Sequence, residues 1–359
     1  MVNLDENNTY FYFNRDKLIH NFNIYNEYGK IYYPLKTNSN KIVIETLKDK
    51  FDNGFLISSI SNFETLQQIN IDISKICFIN VLAEYDTIKY LYYKGVRFFT
   101  FDNLETLESF SQYADLTNTK IVVRVSTMQV FKNKYTHLGA NIEETFKMLK
   151  YLKEKCNNYG ISFYLQNNLK NYDNALELML KYVVDNFSNL GLSFVNIGGI
   201  ESSIINKKEL IETFKRTLDI KEIILEIGKC LIEDTIDMET RIIKEKLIDN
   251  KKTIVIKNGI YSGFFDILLY NKKFDIYLKS KNDGEIKLEY EKSSLNDYEF
   301  IMCGGSSDSG DILGKMYINS MYKDELVEGA KFIIKNVGAY FEEFFMPYSN
   351  DLKKVYIEV

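Results

Sequence analysis

Short runs of apolar, β-branched and aromatic residues alternate with longer stretches whose apolar residues recur every three or four positions, through the first two-thirds of the chain. The strand-like runs are Ile31 to Leu35, Gly54 to Ser58, Lys75 to Asn80, Val96 to Phe101, Lys120 to Ser126, Gly160 to Leu165, Gly191 to Ile197 and Lys221 to Ile227. Between them, Lys41 to Lys50, Phe63 to Ile69, Glu84 to Tyr93, Leu104 to Tyr113, Ile142 to Asn157, Asp173 to Phe187 and Lys207 to Leu218 carry helical spacing. Eight strands joined by crossover helices predict an α/β fold, a (β/α)8 barrel of the TIM type, at the short end of that fold's usual length of about 250 residues.

After about residue 232 the pattern changes to alternating runs: Thr253 to Lys257, Phe274 to Lys279, Glu285 to Tyr290, Tyr298 to Met302, Lys331 to Ile334 and Lys354 to Val359. These predict a C-terminal antiparallel β domain. The expected division is a barrel over 14–231 and a β domain over 232–359, with the strand-like run Thr9 to Phe13 joining the latter. No internal repeat or low-complexity linker interrupts the chain.

Composition narrows the classes. The 359 residues are 45% hydrophobic and 26% charged, an ordinary globular mixture with room for two domains, and the formal charge of -5 argues against a nucleic-acid-binding surface. Cys77, Cys156, Cys230 and Cys303 are widely spaced, which suggests neither a zinc site nor a disulfide framework, and no metal site is expected. The polar, acidic start and the absence of an apolar run near ~18 residues predict a cytoplasmic protein without a membrane partner.

Barrel catalysts sit at the C-terminal ends of the strands, so polar residues there matter most. The first strand runs into Lys36, and a desolvated lysine at a barrel mouth can form an imine with a carbonyl compound. The seventh ends in Gly198-Gly199, whose backbone N–H groups can close around a phosphate or simply make a tight turn. The eighth gives Glu226 between apolar residues, and a buried carboxylate needs a partner.

Tyr33-Pro34-Leu35-Lys36-Thr37-Asn38-Ser39-Asn40 resembles the Y-A-V-K-A-N-S-N motif of the fold-type III pyridoxal-phosphate (PLP) decarboxylases, the ornithine, arginine and diaminopimelate decarboxylase group with its alanine racemase-like barrel. The resemblance runs over nearly the whole chain. It implies that Lys36 carries PLP as a Schiff base, that Arg124 bonds the cofactor ring oxygen, and that Gly198 and Gly199 form the phosphate loop, although Ile200 replaces its third glycine. Glu226-Ile227-Gly228-Lys229 is similar to E-P-G-R, which implies that Glu226 pairs with the pyridinium nitrogen and Lys229 with phosphate. Keeping that nitrogen protonated makes the ring an electron sink. Gly338-Ala339-Tyr340 resembles a G-A-Y motif whose tyrosine contacts phosphate. Gly304 to Asp311 resembles the C-[DE]-S-x-D loop that reaches a partner subunit, implying a homodimer with shared active sites. His137-Leu138-Gly139 sits where the family has a K-F-G-like turn, and Asn258 to Phe264 is close to its G-V-Y-G-S-F stretch.

The departures bear on activity. Tyr164 stands where a histidine stacks on the ring, Gln166-Asn167 replace a Gly-Ser pair that would leave Asn167 among the cofactor contacts, and Leu56 replaces an aspartate. Ser307 replaces the cysteine credited with protonating Cα, and a hydroxyl is the weaker acid. Asn271 lies near the position of an acid that holds the substrate's distal amino group, which leaves Asp308 as the charged partner there. The resemblance implies a PLP-dependent α-decarboxylase of amino-acid metabolism, within polyamine biosynthesis, acting on a small amino-acid-like substrate or a modified or carrier-bound one. The alternatives are a catalytically inactive regulatory paralogue, to which Ser307, Leu56 and Tyr164 point, and an amino-acid racemase, against which Glu226 counts.

Overall fold

The structure, a computed structural model, describes residues 8–131, 136–165, 172–199, 204–341, 343 and 353–359. It divides into two compact units, Met1–Ile19 with Leu231–Val359, and His20–Cys230.

The His20–Cys230 unit is a closed parallel barrel. Ahead of it β1 (Asn8–Phe13) belongs to the other unit, and the barrel strands are β2 (Lys30–Pro34), β3 (Gly54–Ile57), β4 (Ile76–Phe78), β5 (Phe98–Phe101), β6 (Lys120–Arg124), β7 (Asn158–Ser162), β8 (Phe194–Asn196) and β9 (Glu222–Leu225). All eight predicted strands are present, each pairs in parallel with its neighbours, and β9 closes on β2. The helices are α1 (Arg15–Asn26), α2 (Lys41–Lys50), α3 (Ile60–Gln68), α4 (Tyr85–Tyr93), α5 (Leu104–Ser111), α6 (Ile142–Lys155), α7 (Tyr172–Phe187) and α8 (Lys208–Leu218). Short polar side chains start several of them: Asn40, Ser59, Asn103 and Asn141 each accept a first-turn N–H that would otherwise lack a partner. The many asparagines are thus partly helix caps.

The barrel is filled, as this fold requires. Tyr32, Leu56, Cys77, Phe98, Val122, Phe194 and Ile224, from seven of the eight strands, form one buried cluster. Gly54 and Gly160 make room for it, because a Cβ at either would strike the Tyr32 or the Phe194 ring. At the N-terminal end of the strands Lys120 pairs with Glu222, with its ammonium 4.2 Å from the Phe194 ring centre and 4.6 Å from that of Phe98. The cation faces aromatic rings as well as a carboxylate, an arrangement that suits a half-dry site.

The second unit is a nine-stranded sheet of β1, β10 (Ile236–Ile248), β11 (Lys251–Ile256), β12 (Ile276–Lys279), β13 (Glu285–Lys287), β14 (Asp297–Cys303), β15 (Ile312–Asn319), β16 (Lys331–Ile334) and β17 (Lys353–Glu358). The expected antiparallel domain is antiparallel in most of its pairings, while β11 runs parallel to β14 and β1 parallel to β17. β10 is the spine: it pairs with β1 and β16 along its first half and β11 along its second. Its alternation is broken by Glu239, a buried carboxylate that accepts from Lys331 at 2.7 Å, Tyr12 at 3.2 Å and Lys279 at 3.4 Å. Those partners satisfy a charge that would otherwise be costly in a sheet interior.

Candidate active site

β2 runs directly into a 3-10 turn, Leu35–Thr37, that carries the predicted cofactor lysine. Leu35 and Thr37 are buried, and Lys36 between them is exposed. The turn is held from both sides. Tyr33 donates its hydroxyl to the Asn38 carbonyl at 3.0 Å, Asn38 accepts the Asn40 N–H at 2.9 Å, and Asn40 caps α2. The expectation of a desolvated lysine is not met in the chain by itself, because the buried neighbours on the tight turn leave Lys36 facing outward.

Glu226 follows the adjacent strand, β9, and the segment after it lies against the lysine turn. A Cβ on Gly228 would strike the Thr37 hydroxyl and come within 2.8 Å of the Pro34 ring, so a larger residue would push the two segments apart. Thr37 Oγ1 is itself buried without a hydrogen-bond partner among the described residues.

Between β8 and β9 the side chains form a closed set of bonds. Asn196, at the end of β8 and 2% exposed, donates Nδ2–H to Glu226 Oε1 at 2.8 Å, and its Oδ1 accepts the Gly198 N–H at 3.0 Å. The Gly198 carbonyl in turn accepts the Glu226 N–H at 2.9 Å. Gly198 has φ +72°, in the left-handed region, and a Cβ there would sit 2.6 Å from the Phe163 carbonyl oxygen. A Cβ on Gly199 would sit 2.9 Å from the Glu226 carbonyl oxygen. Both glycines are therefore dictated by close backbone approach. Beneath lies Cys77, whose thiol burial pushes well up, with the Glu226 carboxylate adding to the effect.

Arg124 ends β6, half-buried, with no side-chain hydrogen bond or ion pair to another described residue. Tyr164 lies two residues beyond β7, is 42% exposed, and its carbonyl accepts from the Thr127 hydroxyl at 3.4 Å. Leu56 is packed in the barrel cluster, so the aspartate of the resembled pattern has no carboxylate counterpart there. His137 is exposed, and the Gly139 that follows has φ +95° and donates its N–H to Asp102 at 2.9 Å. Gln166, Asn167 and Ile200 lie outside the described residues.

The other predicted residues belong to the sheet unit, except Lys229, which is half-buried two residues after Ile227 in the barrel unit. Ser307 and Asp308 form the exposed tip of the β14–β15 loop, and Asp308 Oδ1 accepts the Gly310 N–H at 2.7 Å. Asn271 caps the short helix α9 (Asp266–Tyr270), in a left-handed conformation and exposed. Tyr340 is also left-handed, at φ +63°, and half-buried.

Asn196 and Asp311 have no role in the sequence reading, Asn196 lying inside the seventh strand-like run and Asp311 ending the 304–311 motif. The signal for Asn196 was present, a polar residue closing a barrel strand. That for Asp311 was not, because its partners are distant in sequence.

The sequence model of a family described as pyridoxal-dependent decarboxylase, pyridoxal binding domain, matches residues 16–232. The chain is 25% identical over 180 residues to a probable ornithine decarboxylase of Dictyostelium discoideum, a match covering 47% of this chain and 38% of that protein. It is 24% identical over 275 residues to antizyme inhibitor 2 of Xenopus laevis, covering 67% and 59% respectively. These matches span less than two-thirds of either relative. The crystal structure of the Paramecium bursaria Chlorella virus arginine decarboxylase superposes with a TM-score of 0.81 at 18% identity, covering 98% of this chain and 97% of that one.

Proposed function

The chain belongs to the pyridoxal-dependent decarboxylase family, and on that premise we propose that it removes the α-carboxyl group of an amino acid or amino-acid derivative as CO2, with PLP on Lys36. The observation that carries the reading is Glu226, a half-buried carboxylate at the barrel mouth with one oxygen bound by Asn196 and its backbone tied to the Gly198 turn. The residues fit the cofactor. A glycine turn that admits no Cβ lets a phosphate approach its backbone, with the Gly198 N–H held by Asn196 and that of Gly199 left to the ligand; a half-buried arginine stands at the same rim, and an exposed primary amine sits on a rigid turn.

When bound, PLP supplies an electron sink for the pair left at Cα as CO2 departs. Lys36 Nζ would hold the cofactor, and Glu226 would accept a hydrogen bond from the ring N–H and so keep that nitrogen protonated. Gly198, Gly199, Lys229 and Tyr340 are assigned to the phosphate, Arg124 and Asn167 to polar contacts of the cofactor, and Tyr164 to the ring face. Ser307 is assigned to deliver a proton to Cα from its hydroxyl, and Asp308 with Asn271 to receive the distal end of the substrate. The proposal includes a homodimer in which the 304–311 loop of one protomer serves its partner. Support comes from that loop's likeness to the family's loop and from its exposed tip. A place in amino-acid metabolism, polyamine biosynthesis in particular, and in the cytoplasm completes the reading. Four free cysteines are consistent with the latter, and no helix among the described residues is long and apolar enough to cross a membrane.

The test is the absorption of purified protein with added PLP before and after borohydride, peptide mapping of the reduced adduct, and CO2 release from a panel of amino acids. A reducible chromophore on Lys36, lost in Lys36→Ala together with CO2 release, is the expected result. Retention of both in Lys36→Ala would overturn it. PLP attachment with no CO2 from any amino acid would favour the regulatory paralogue.

A further inference from the structure

We propose that Asn196 is a positioning residue for the cofactor site, holding Glu226 in one orientation and linking it to the glycine turn; the inference rests on the reading of this mouth as a PLP site. The amide can make its two bonds in only one sense. The Gly198 N–H requires an acceptor and the Glu226 carboxylate requires a donor, so Oδ1 faces the turn at 3.0 Å and Nδ2 faces the acid at 2.8 Å. Because the Gly198 carbonyl also accepts the Glu226 N–H, neither the turn nor the acid can shift without breaking a bond to the other.

Burial makes this arrangement stiff. Asn196 is 2% exposed, and its backbone carbonyl accepts the Phe163 N–H at 3.2 Å, so the side chain is fixed at a strand end rather than on a loop. Glu226 Oε1 is occupied by the amide, while Oε2 has no partner among the described residues and is the oxygen left to accept from a protonated ring nitrogen. One buried amide thus sets both the acid meant for the ring nitrogen and the turn meant for the phosphate.

The experiment measures PLP affinity by absorbance titration of the full-length protein, with cooperative urea unfolding as the check on folding. Removing a buried hydrogen bond to a charged group predicts at least about a tenfold weaker PLP complex for Asn196→Ala. In a Glu226→Ala background the same change is expected to cost less than in the unsubstituted chain, since the part acting through Glu226 loses its target and only the hold on the Gly198 turn remains. A second variant, Asn196→Asp, keeps the acceptor for Gly198 and removes the donor to Glu226. It is expected to weaken PLP binding at least about tenfold although the Gly198 bond is kept, and to cost little in the Glu226→Ala background, a dependence a merely structural change would not produce.

Affinity within twofold of the unsubstituted chain for Asn196→Ala, an equal penalty in the Glu226→Ala background, or an Asn196→Asp chain that binds PLP as the unsubstituted chain does would each overturn the inference. Because binding rather than CO2 release is read, absence of decarboxylation does not bear on it. An unsubstituted chain that takes up no PLP would bring down the proposed function itself, whereas PLP uptake indifferent to Asn196 brings down the positioning role alone.

Discussion

The Asp311 carboxylate accepts the Ile260 backbone N–H at 2.6 Å, joining the 258–264 segment to the loop that bears Ser307 and Asp308. Its second oxygen accepts the Ser306 N–H at 3.1 Å, and the group is 3% exposed. Gly259 and Gly304 both press against this carboxylate so closely that a Cβ on either would collide with it. Asp311→Ala leaves the buried Ile260 N–H and the half-buried Ser306 N–H without their acceptor, so the folded chain is expected to lose roughly 1–3 kcal/mol, with Asp311→Asn losing less because one oxygen remains. Urea unfolding gives the loss. Equal stability of Asp311→Ala and the unsubstituted chain would mean that water replaces the carboxylate at no cost.

Gly198→Ala tests the turn from the opposite side. Its φ of +72° and the Phe163 carbonyl oxygen 2.6 Å from the added methyl both oppose a side chain. The expected outcome is a loss of about 1–3 kcal/mol in folding stability and at least about tenfold weaker PLP binding, read by titration. Gly284→Ala is the control: φ is +76°, but nothing lies within 4 Å of the added Cβ, so it is expected to weaken PLP binding little.

The Lys120–Glu222 pair closes the barrel at the end away from the candidate site, with side chains 16% and 28% exposed. Lys120→Met leaves Glu222 partly buried without its cation and is expected to cost about 1–3 kcal/mol, less than a fully buried pair would. Lys120→Met with Glu222→Leu is expected to recover part of that loss, since neither charge then remains. A double-mutant cycle of urea midpoints measures the coupling, and additive losses would show that the two charges do not support each other.

Alkaline pH is expected to weaken the sheet unit. Burial, then the Glu239 carboxylate, pushes the Tyr12 phenol up to about 12, and burial pushes that of Tyr290 up to about 12 as well. Below the ordinary tyrosine value near 10 both states hold these protons and the phenols add no pH dependence. Between 10 and 12 the unfolded chain releases protons that the folded chain retains, so stability falls as pH rises through that window. Urea midpoints at pH 8.5, 10 and 11.5 and constant ionic strength check this, with Tyr12→Phe expected to show the shallower decline. Identical slopes in the two chains would exclude Tyr12 as a source.

The barrel was legible because its signal is local. Eight apolar runs separated by helical spacing stand in the sequence in their spatial order, and parallel crossover connections leave little choice of topology. Three of the longer elements were not legible, each for a physical reason. α1 carries Asn21, Asn23 and Asn26, poor helix formers, so its buried Leu18, Phe22 and Tyr25 do not stand out. β10 has a carboxylate at the buried position of Glu239, and β15 contains Gly314, at φ +138° beside a register shift. Alternation fails in both, and distant partners compensate: Lys331 lies 92 residues from Glu239.

The candidate site divides in the same way. Lys36, Gly198, Gly199 and Glu226 could be named from sequence because each sits within a few residues of a strand end, where the fold places chemistry. The exposure of Lys36, the packing of Gly228 on Thr37, the bond from Asn196 to Glu226 across 30 residues and the hold of Asp311 on Ile260 across 51 could not. Strand periodicity and turn chemistry depend on neighbours in the chain, so the sequence by itself determined the barrel and the residues at its mouth. Which side-chain oxygen meets which N–H depends on how β8 and β9, and the two loops of the sheet unit, come together, and only the tertiary structure decided that.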